Sequence, residues 1–227
     1  KFSDFLRVGI PLNLSGKSLR GGEIELSWEP VENADGYQLY RKFAGNAEFL
    51  PAGDPVAGTE SSVTDLPPEE GMYTYAVASL RQENDQTSES SLSAAVDAVS
   101  DATAPPAPSD LSLDLASNGI HAQWTSPVYT ETVTFEVYRS ANSQITTLDG
   151  LDPLIPGIPA AHTSVVDPNP SATEHCYAVA ARDLAGNVSA PSESVYLNFD
   201  LLPVSGMTVS RTDLDPPVLT WTHPGDM

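Results

Sequence analysis

Three tryptophans, Trp28, Trp124 and Trp221, stand 96 and 97 residues apart, and the segments around the first two repeat in the same order. Leu26-Ser27-Trp28 is followed by Tyr37-Gln38-Leu39-Tyr40-Arg41, just as Ala122-Gln123-Trp124 is followed by Phe135-Glu136-Val137-Tyr138-Arg139. Further on, Tyr75-Ala76-Val77-Ala78 matches Tyr177-Ala178-Val179-Ala180, and Val63 and Val165 each precede the leading tyrosine by 12 positions. Self-similarity at a fixed period marks a repeated structural unit. A period near 100 residues is the size of one immunoglobulin-like sandwich, so the chain holds two whole units and the beginning of a third.

Within each unit, helical periodicity is scarce. Short runs of Val, Tyr, Phe and Leu are separated by Pro, Gly, Asn and Asp clusters, the pattern of sandwiches and barrels. Glu23 to Trp28 alternates polar and apolar, which puts Ile24, Leu26 and Trp28 on one face of a strand. The expectation is an all-β chain of tandem β-sandwiches. Its core residues are Trp28, Tyr37, Leu39, Tyr73, Tyr75 and Val77 in the first unit, with Trp124, Phe135, Val137, His175, Tyr177 and Val179 in the second and Trp221 in the third.

A lead segment (1–7) precedes the first module (8–100), the second module spans 101–198, and residues 199–227 hold the first two strands of an incomplete third. Prolines in Asp101-Ala102-Thr103-Ala104-Pro105-Pro106-Ala107-Pro108 favour an extended, semi-rigid connection. The next junction, Asn198 to Pro203, is more apolar and is expected to bend less. In the third unit Met207-Thr208-Val209 and Val218-Leu219-Thr220-Trp221 are strand candidates. Two strands cannot bury a sandwich core, so either the polypeptide continues past Met227 or a neighbouring chain completes the unit.

Composition removes several function classes. With 10 Lys and Arg against 31 Asp and Glu, the net charge is −21, which repels phosphate backbones and anionic headgroups. Nucleic acid is excluded as a partner. The lone Cys176 cannot form an intrachain disulfide or a thiolate pair for zinc, and the four histidines at 121, 162, 175 and 223 are far apart. No apolar run reaches the roughly 20 residues needed to span a bilayer, so no membrane insertion is expected. The sequence carries no nucleophile elbow, zincin helix or phosphate loop.

These residues resemble fibronectin type III repeats: a Trp on the second strand, an aromatic-x-aliphatic-aromatic third strand, and Tyr-x-Val-x-(Ala/Ser) on the sixth. Ala181 to Ser189 also resembles the Asp-x-Ala-Gly-Asn-x-Ser turn common in such repeats of secreted bacterial proteins. There Gly and Asn would supply the positive φ of a tight turn. The resemblance implies a corner tyrosine at Tyr73, whose aligned position in the second unit is His175. It implies that Leu66 plugs the base of the first sandwich where the second has Pro168. The segment from Ser140 to His162 is longer than its counterpart.

Candidate sites are few. Cys176 alternates with the inward Tyr177, so its thiol is expected to point away from the core and be accessible, without a base to activate it. Asp149 and Asp152 flank a turn that could hold Ca²⁺ with backbone carbonyls, and Asp213 and Asp215 form a similar pair. Tyr129, Tyr40, Tyr138 and Tyr196 are candidate contact residues, since exposed aromatics stack on sugars or anchor proteins. Asn13-Leu14-Ser15 and Asn187-Val188-Ser189 match the glycosylation pattern. The expectation is a non-catalytic, cofactor-free set of structural or protein-interaction modules in a larger extracellular or surface protein of a bacterium. Its partner would be another protein or other domains of the same polypeptide. Two alternatives stand beside it: an accessory region of a secreted polysaccharide-active enzyme, with glycan as the partner, and a filament subunit completed by a neighbouring chain.

Overall fold

The computed structural model describes residues 8–142, 144–170, 176–197, 205–210 and 218–222, the last two stretches by their backbone. The first unit starts with β1 (Leu12–Ser18) and a 3-10 turn (Arg20–Gly22). It continues through β2 (Ile24–Glu29), β3 (Gly36–Phe43), β4 (Leu50–Pro51), β5 (Val56–Ala57), β6 (Ser62–Asp65), β7 (Gly71–Glu83), β8 (Gln86–Glu89) and β9 (Val96–Ser100). One sheet has the order β1-β2-β6; the other runs β4-β3-β7-β8, with β5 on β3 and β9 on β7.

The second unit comprises β10 (Ser109–Ala116), β11 (Gly119–Thr125), β12 (Thr134–Ser140), β13 (Ile155–Pro159), β14 (Ser164–Asp167), β15 (Cys176–Arg182) and β16 (Val195–Tyr196). Its sheets are β10-β11-β14 and β13-β12-β15-β16. Beyond it, β17 (Ser205–Ser210) and β18 (Val218–Thr222) form an antiparallel pair. Trp221 falls on β18. The side chain of Trp221, the whole of His175, the junction from Asn198 to Pro203, and Asp213 and Asp215 lie outside the described residues.

The repeat is reproduced down to register. Leu39 faces Val77 and Arg41 faces Tyr75 across β3 and β7, as Val137 faces Val179 and Arg139 faces Tyr177 across β12 and β15. Even the first strands share an irregularity, a register shift at Leu12/Ser15 and at Ser109/Ser112. At each shift an Asx residue takes positive φ, Asn13 at 54° and Asp110 at 51°, the conformation its short polar side chain tolerates.

Alternation on β2 and β11 sends one face of each strand inward. Ile24, Leu26, Trp28, Tyr37, Leu39, Tyr73, Tyr75 and Val77 form one buried cluster. Ile120, Ala122, Trp124, Phe135, Val137, Tyr177 and Val179 form another. Each tryptophan packs on the aromatic of the next strand, Trp28 at 5.1 Å from Tyr37 and Trp124 at 5.3 Å from Phe135. Full burial of such a side chain contributes about 1.5–3 kcal/mol, so these rows dominate the stability of each sandwich. Tyr73 donates its hydroxyl to the Glu69 carbonyl at 3.0 Å, the back-bond expected of a corner tyrosine.

Leu66 does not plug the base of the first sandwich: it is 62% exposed. Asp65 before it and Pro67 after it are buried instead, because alternation can turn inward either the pair or Leu66, and Asp65 is held by Tyr75 and Arg41. The Asp65 carboxylate accepts the Tyr75 hydroxyl at 2.8 Å and Arg41 Nη1 at 2.5 and 2.6 Å. Asp167 repeats this, accepting Tyr177 at 2.8 Å and Arg139 at 2.6 Å. A buried carboxylate paired with a guanidinium and a phenol has its charge compensated, as burial requires. Each node pins the end of β6 or β14 to the facing sheet.

Two serines per unit fasten the segment leading into the last strand to β7 or β15. Ser93 and Ser192 each donate their backbone N–H to a carbonyl, Val77 or Val179, while their Oγ accepts that same residue's N–H. Ser90 and Ser189 do the same with Ser79 and Ala181. A hydroxyl thus replaces a main-chain carbonyl where the strands are not in register, and the buried N–H groups stay bonded.

Candidate functional site

The outer face of β12 and β15 departs from the sequence expectation. Cys176 does alternate away from the sandwich core, yet it has no exposed surface. The long segment after β12 folds back over this face. Ile145, Leu148 and Leu151 cover Tyr138, Cys176, Ala178 and Ala180, making a second, smaller apolar cluster. The thiol is therefore inaccessible. Tyr138 is likewise corrected as a contact residue: it is buried, and its hydroxyl donates to Glu136 Oε2 at 2.6 Å. Burial and that bond push its pKa up to about 12.

Glu136, itself buried, is bracketed by Arg182, Nε to Oε1 at 2.7 Å and Nη2 to Oε2 at 3.0 Å. Burial alone would raise its pKa, but the Arg182 and Tyr138 hydrogen bonds and the Arg182 charge outweigh it and hold it below the usual range.

The other candidates scatter. Tyr40 is half-buried and bonded to Glu89 at 2.5 Å. Tyr129 packs against Phe135 at 6.1 Å and donates to the Pro106 carbonyl, so it joins its loop to the linker. Tyr196, 48% exposed, presents its ring at the surface. Asp149 and Asp152 are exposed; Asp149 accepts the Thr147 hydroxyl at 2.9 Å within its own turn. The two line an open cleft of about 500 Å³ with Arg20, Tyr138, Arg182 and Pro191. They do not join a third ligand: among the described residues, the group that could hold a metal ion is Asp101, Glu131 and Asp183.

That acidic trio sits where the two sandwiches meet. The turn after β15 is built on Asp183, whose Oδ1 accepts the N–H groups of Gly186 at 2.7 Å and Asn187 at 2.8 Å. Gly186 takes φ 95°, as a tight turn requires. Asn187 does not take a positive φ; its contribution is its amide. Only 3% exposed, it accepts the Gly21 N–H of the first unit at 2.8 Å. Its Nδ2 donates to the Asp101 carbonyl at 2.9 Å and to Asp183 Oδ2 at 2.8 Å. A buried amide so engaged cannot carry an oligosaccharide in the folded chain, which removes that glycosylation match.

The proline-bearing linker is docked as well. Glu70 accepts the Ala102 N–H at 3.1 Å and the Thr103 hydroxyl at 2.9 Å, and Pro105 and Pro108 are buried. Carboxylates gather here at some cost: partial desolvation of the still exposed Glu131, together with the charges of Asp101 and Asp183, raises its pKa. Sequence reasoning missed three groups of residues here. Asp65 and Asp167 each lie 10 positions before the repeated tyrosine, the serine pairs recur three apart, and Asn187 was assigned to its backbone. The first two were visible as further repeats.

No helix among the described residues is long and apolar enough to cross a membrane. No family model matches the chain, and no curated protein matches its sequence. Solved structures do match it, 306 chains in all. One is a crystal structure of the FN1–FN3 domains of chicken CNTN1, similar at a TM-score of 0.65 and 17% identity over 83% of this chain. The alignment spans 66% of that chain, just under two thirds. The likeness is one of fold: this chain is built of tandem fibronectin type III-like sandwiches.

Proposed function

We propose that these sandwiches are non-catalytic spacer and protein-interaction modules of a larger extracellular or surface protein, of the kind bacteria secrete. The observation that carries this reading is the docked linker. Glu70 holds its start, Tyr129 its middle and Asn187 its carbonyl at Asp101, so one module is seated on the next with a set reach. A fold of this class offers sheet edges, such as β1 and β10, and loop tips to a protein partner. Nothing in that role asks for an activated nucleophile or a cofactor.

Surface shaving of intact source cells followed by peptide mass analysis tests it. Peptides from both modules are expected in the shaved fraction, from a polypeptide well above 24.1 kDa. Recovery confined to the cell interior would overturn the proposal, and specific retention on immobilised polysaccharide would favour the accessory-enzyme reading instead.

A further inference from the structure

We infer that Asn187 is a latch that fixes the angle between the two sandwiches, so that residues 8–197 move as one body rather than as two beads on a proline tether. Modules joined by short linkers normally reorient, because their interfaces are small and polar. Here one buried amide ties three separate segments together: the turn between β1 and β2, the linker, and the turn after β15. The orientation of the amide is dictated by its neighbours. The Gly21 N–H can only donate, so it faces Oδ1; the Asp101 carbonyl and the Asp183 carboxylate can only accept, so they face Nδ2. Swinging the modules apart breaks the bonds to Gly21 and Asp101 at once and strips a buried group of its partners.

The surroundings need such a tie. Asp101, Glu131 and Asp183 bring carboxylate oxygens within 4.8 Å of one another, and their mutual repulsion acts to open the junction. The turn itself does not depend on the Asn187 side chain, since the bonds from Asp183 Oδ1 to the Gly186 and Asn187 N–H groups are to backbone. Removing the amide therefore releases the first module while leaving the turn in place. The latch shares the docked linker with the proposed spacer role, and a distance between the modules tests it whatever they bind and wherever they reside.

The test uses the full chain with Cys176→Ala and spin labels at two exposed strand positions, Gln86 in the first unit and Ser164 in the second. A single narrow distance distribution is expected. Asn187→Ala should lose it and give a broad one. Asn187→Asp, which keeps the shape and the Gly21 bond but sets an oxygen against two acceptors, should broaden or shift the distribution too. Unchanged circular dichroism in both variants, with thermal unfolding that stays cooperative, would show that each sandwich is intact. A distribution as narrow in both variants as in the parent overturns the latch. If the variants do not fold, hydrogen exchange in the unaltered chain decides: a protected Gly21 amide supports the latch, and exchange at the rate of an open loop overturns it.

Discussion

The two sandwiches share a core and differ in what lies outside it. Register, tryptophan–aromatic stack, Arg–Asp–Tyr node and serine fasteners coincide position by position. Yet in the first unit β7 runs on through Leu80 to Glu83 and closes on β8 by a tight hairpin with Asn84 and Asp85 at positive φ. At the equivalent point of the second unit, β15 stops at Arg182 and the Asp183 turn begins. The second unit also wraps its outer sheet face with Ile145, Leu148 and Leu151. The two units thus share the groups that join sheet to sheet and differ in the loops, each according to what it covers or touches.

Four experiments probe how far the two units are equivalent. The largest effect is expected at the shared node. Asp65→Ala and Asp167→Ala each remove the carboxylate from a half-buried guanidinium and a buried phenol, and each should cost its own sandwich about 3 kcal/mol in denaturant unfolding. Equal losses support equivalence; a loss in one unit only would mean the nodes are not the same device.

Next is the cover that only the second unit has. Ile145→Ala should destabilise that unit by about 2 kcal/mol and speed the reaction of Cys176 with a thiol reagent. No change in thiol reactivity would show that the cover does not shield it.

Smaller losses are expected at the serine fasteners. Ser93→Ala and Ser192→Ala each leave a buried N–H without its acceptor, at about 1 kcal/mol apiece, read as paired shifts in the two unfolding midpoints. A denaturant midpoint that moves for one variant alone would limit the device to that unit.

The last effect is an alkaline one and is silent at neutral pH. Burial, then the hydrogen bond to Asp167, pushes Tyr177 from the usual 10 up to about 12. Stability linked to the neutral phenol is complete below the unfolded pKa and drains away as pH rises through the folded one. Ultraviolet titration should show late-ionising phenols, with stability falling between about pH 10 and 12, and Tyr177→Phe should lower the amplitude of that step by one phenol while Tyr138 and Tyr40 still contribute to it. A Tyr177 that titrates near its ordinary pKa would contradict the burial of the node.

Much of the fold was legible beforehand. Trp28 and Trp124 announce equivalent cores because an inward aromatic on a half-buried strand is readable from alternation alone, and the positions around Tyr75 and Tyr177 follow from the same rule. Leu66 misled because its neighbour Asp65 carries the inward contact, and a charged residue is an unexpected choice for a core-facing position. Tyr138 and Cys176 were placed on the correct face, but the loop that buries them leaves no periodic trace in the sequence.

Spacing in the sequence was enough to reveal the repeat, and side-chain alternation was enough to assign the inward faces around Trp28, Trp124, Tyr75 and Tyr177. Tertiary structure alone decided the fate of Cys176 and the partners of Asn187. Gly21 lies 166 positions from Asn187 and Asp101 lies 86, and contacts between segments so distant depend on how finished sandwiches stack. No local pattern encodes that.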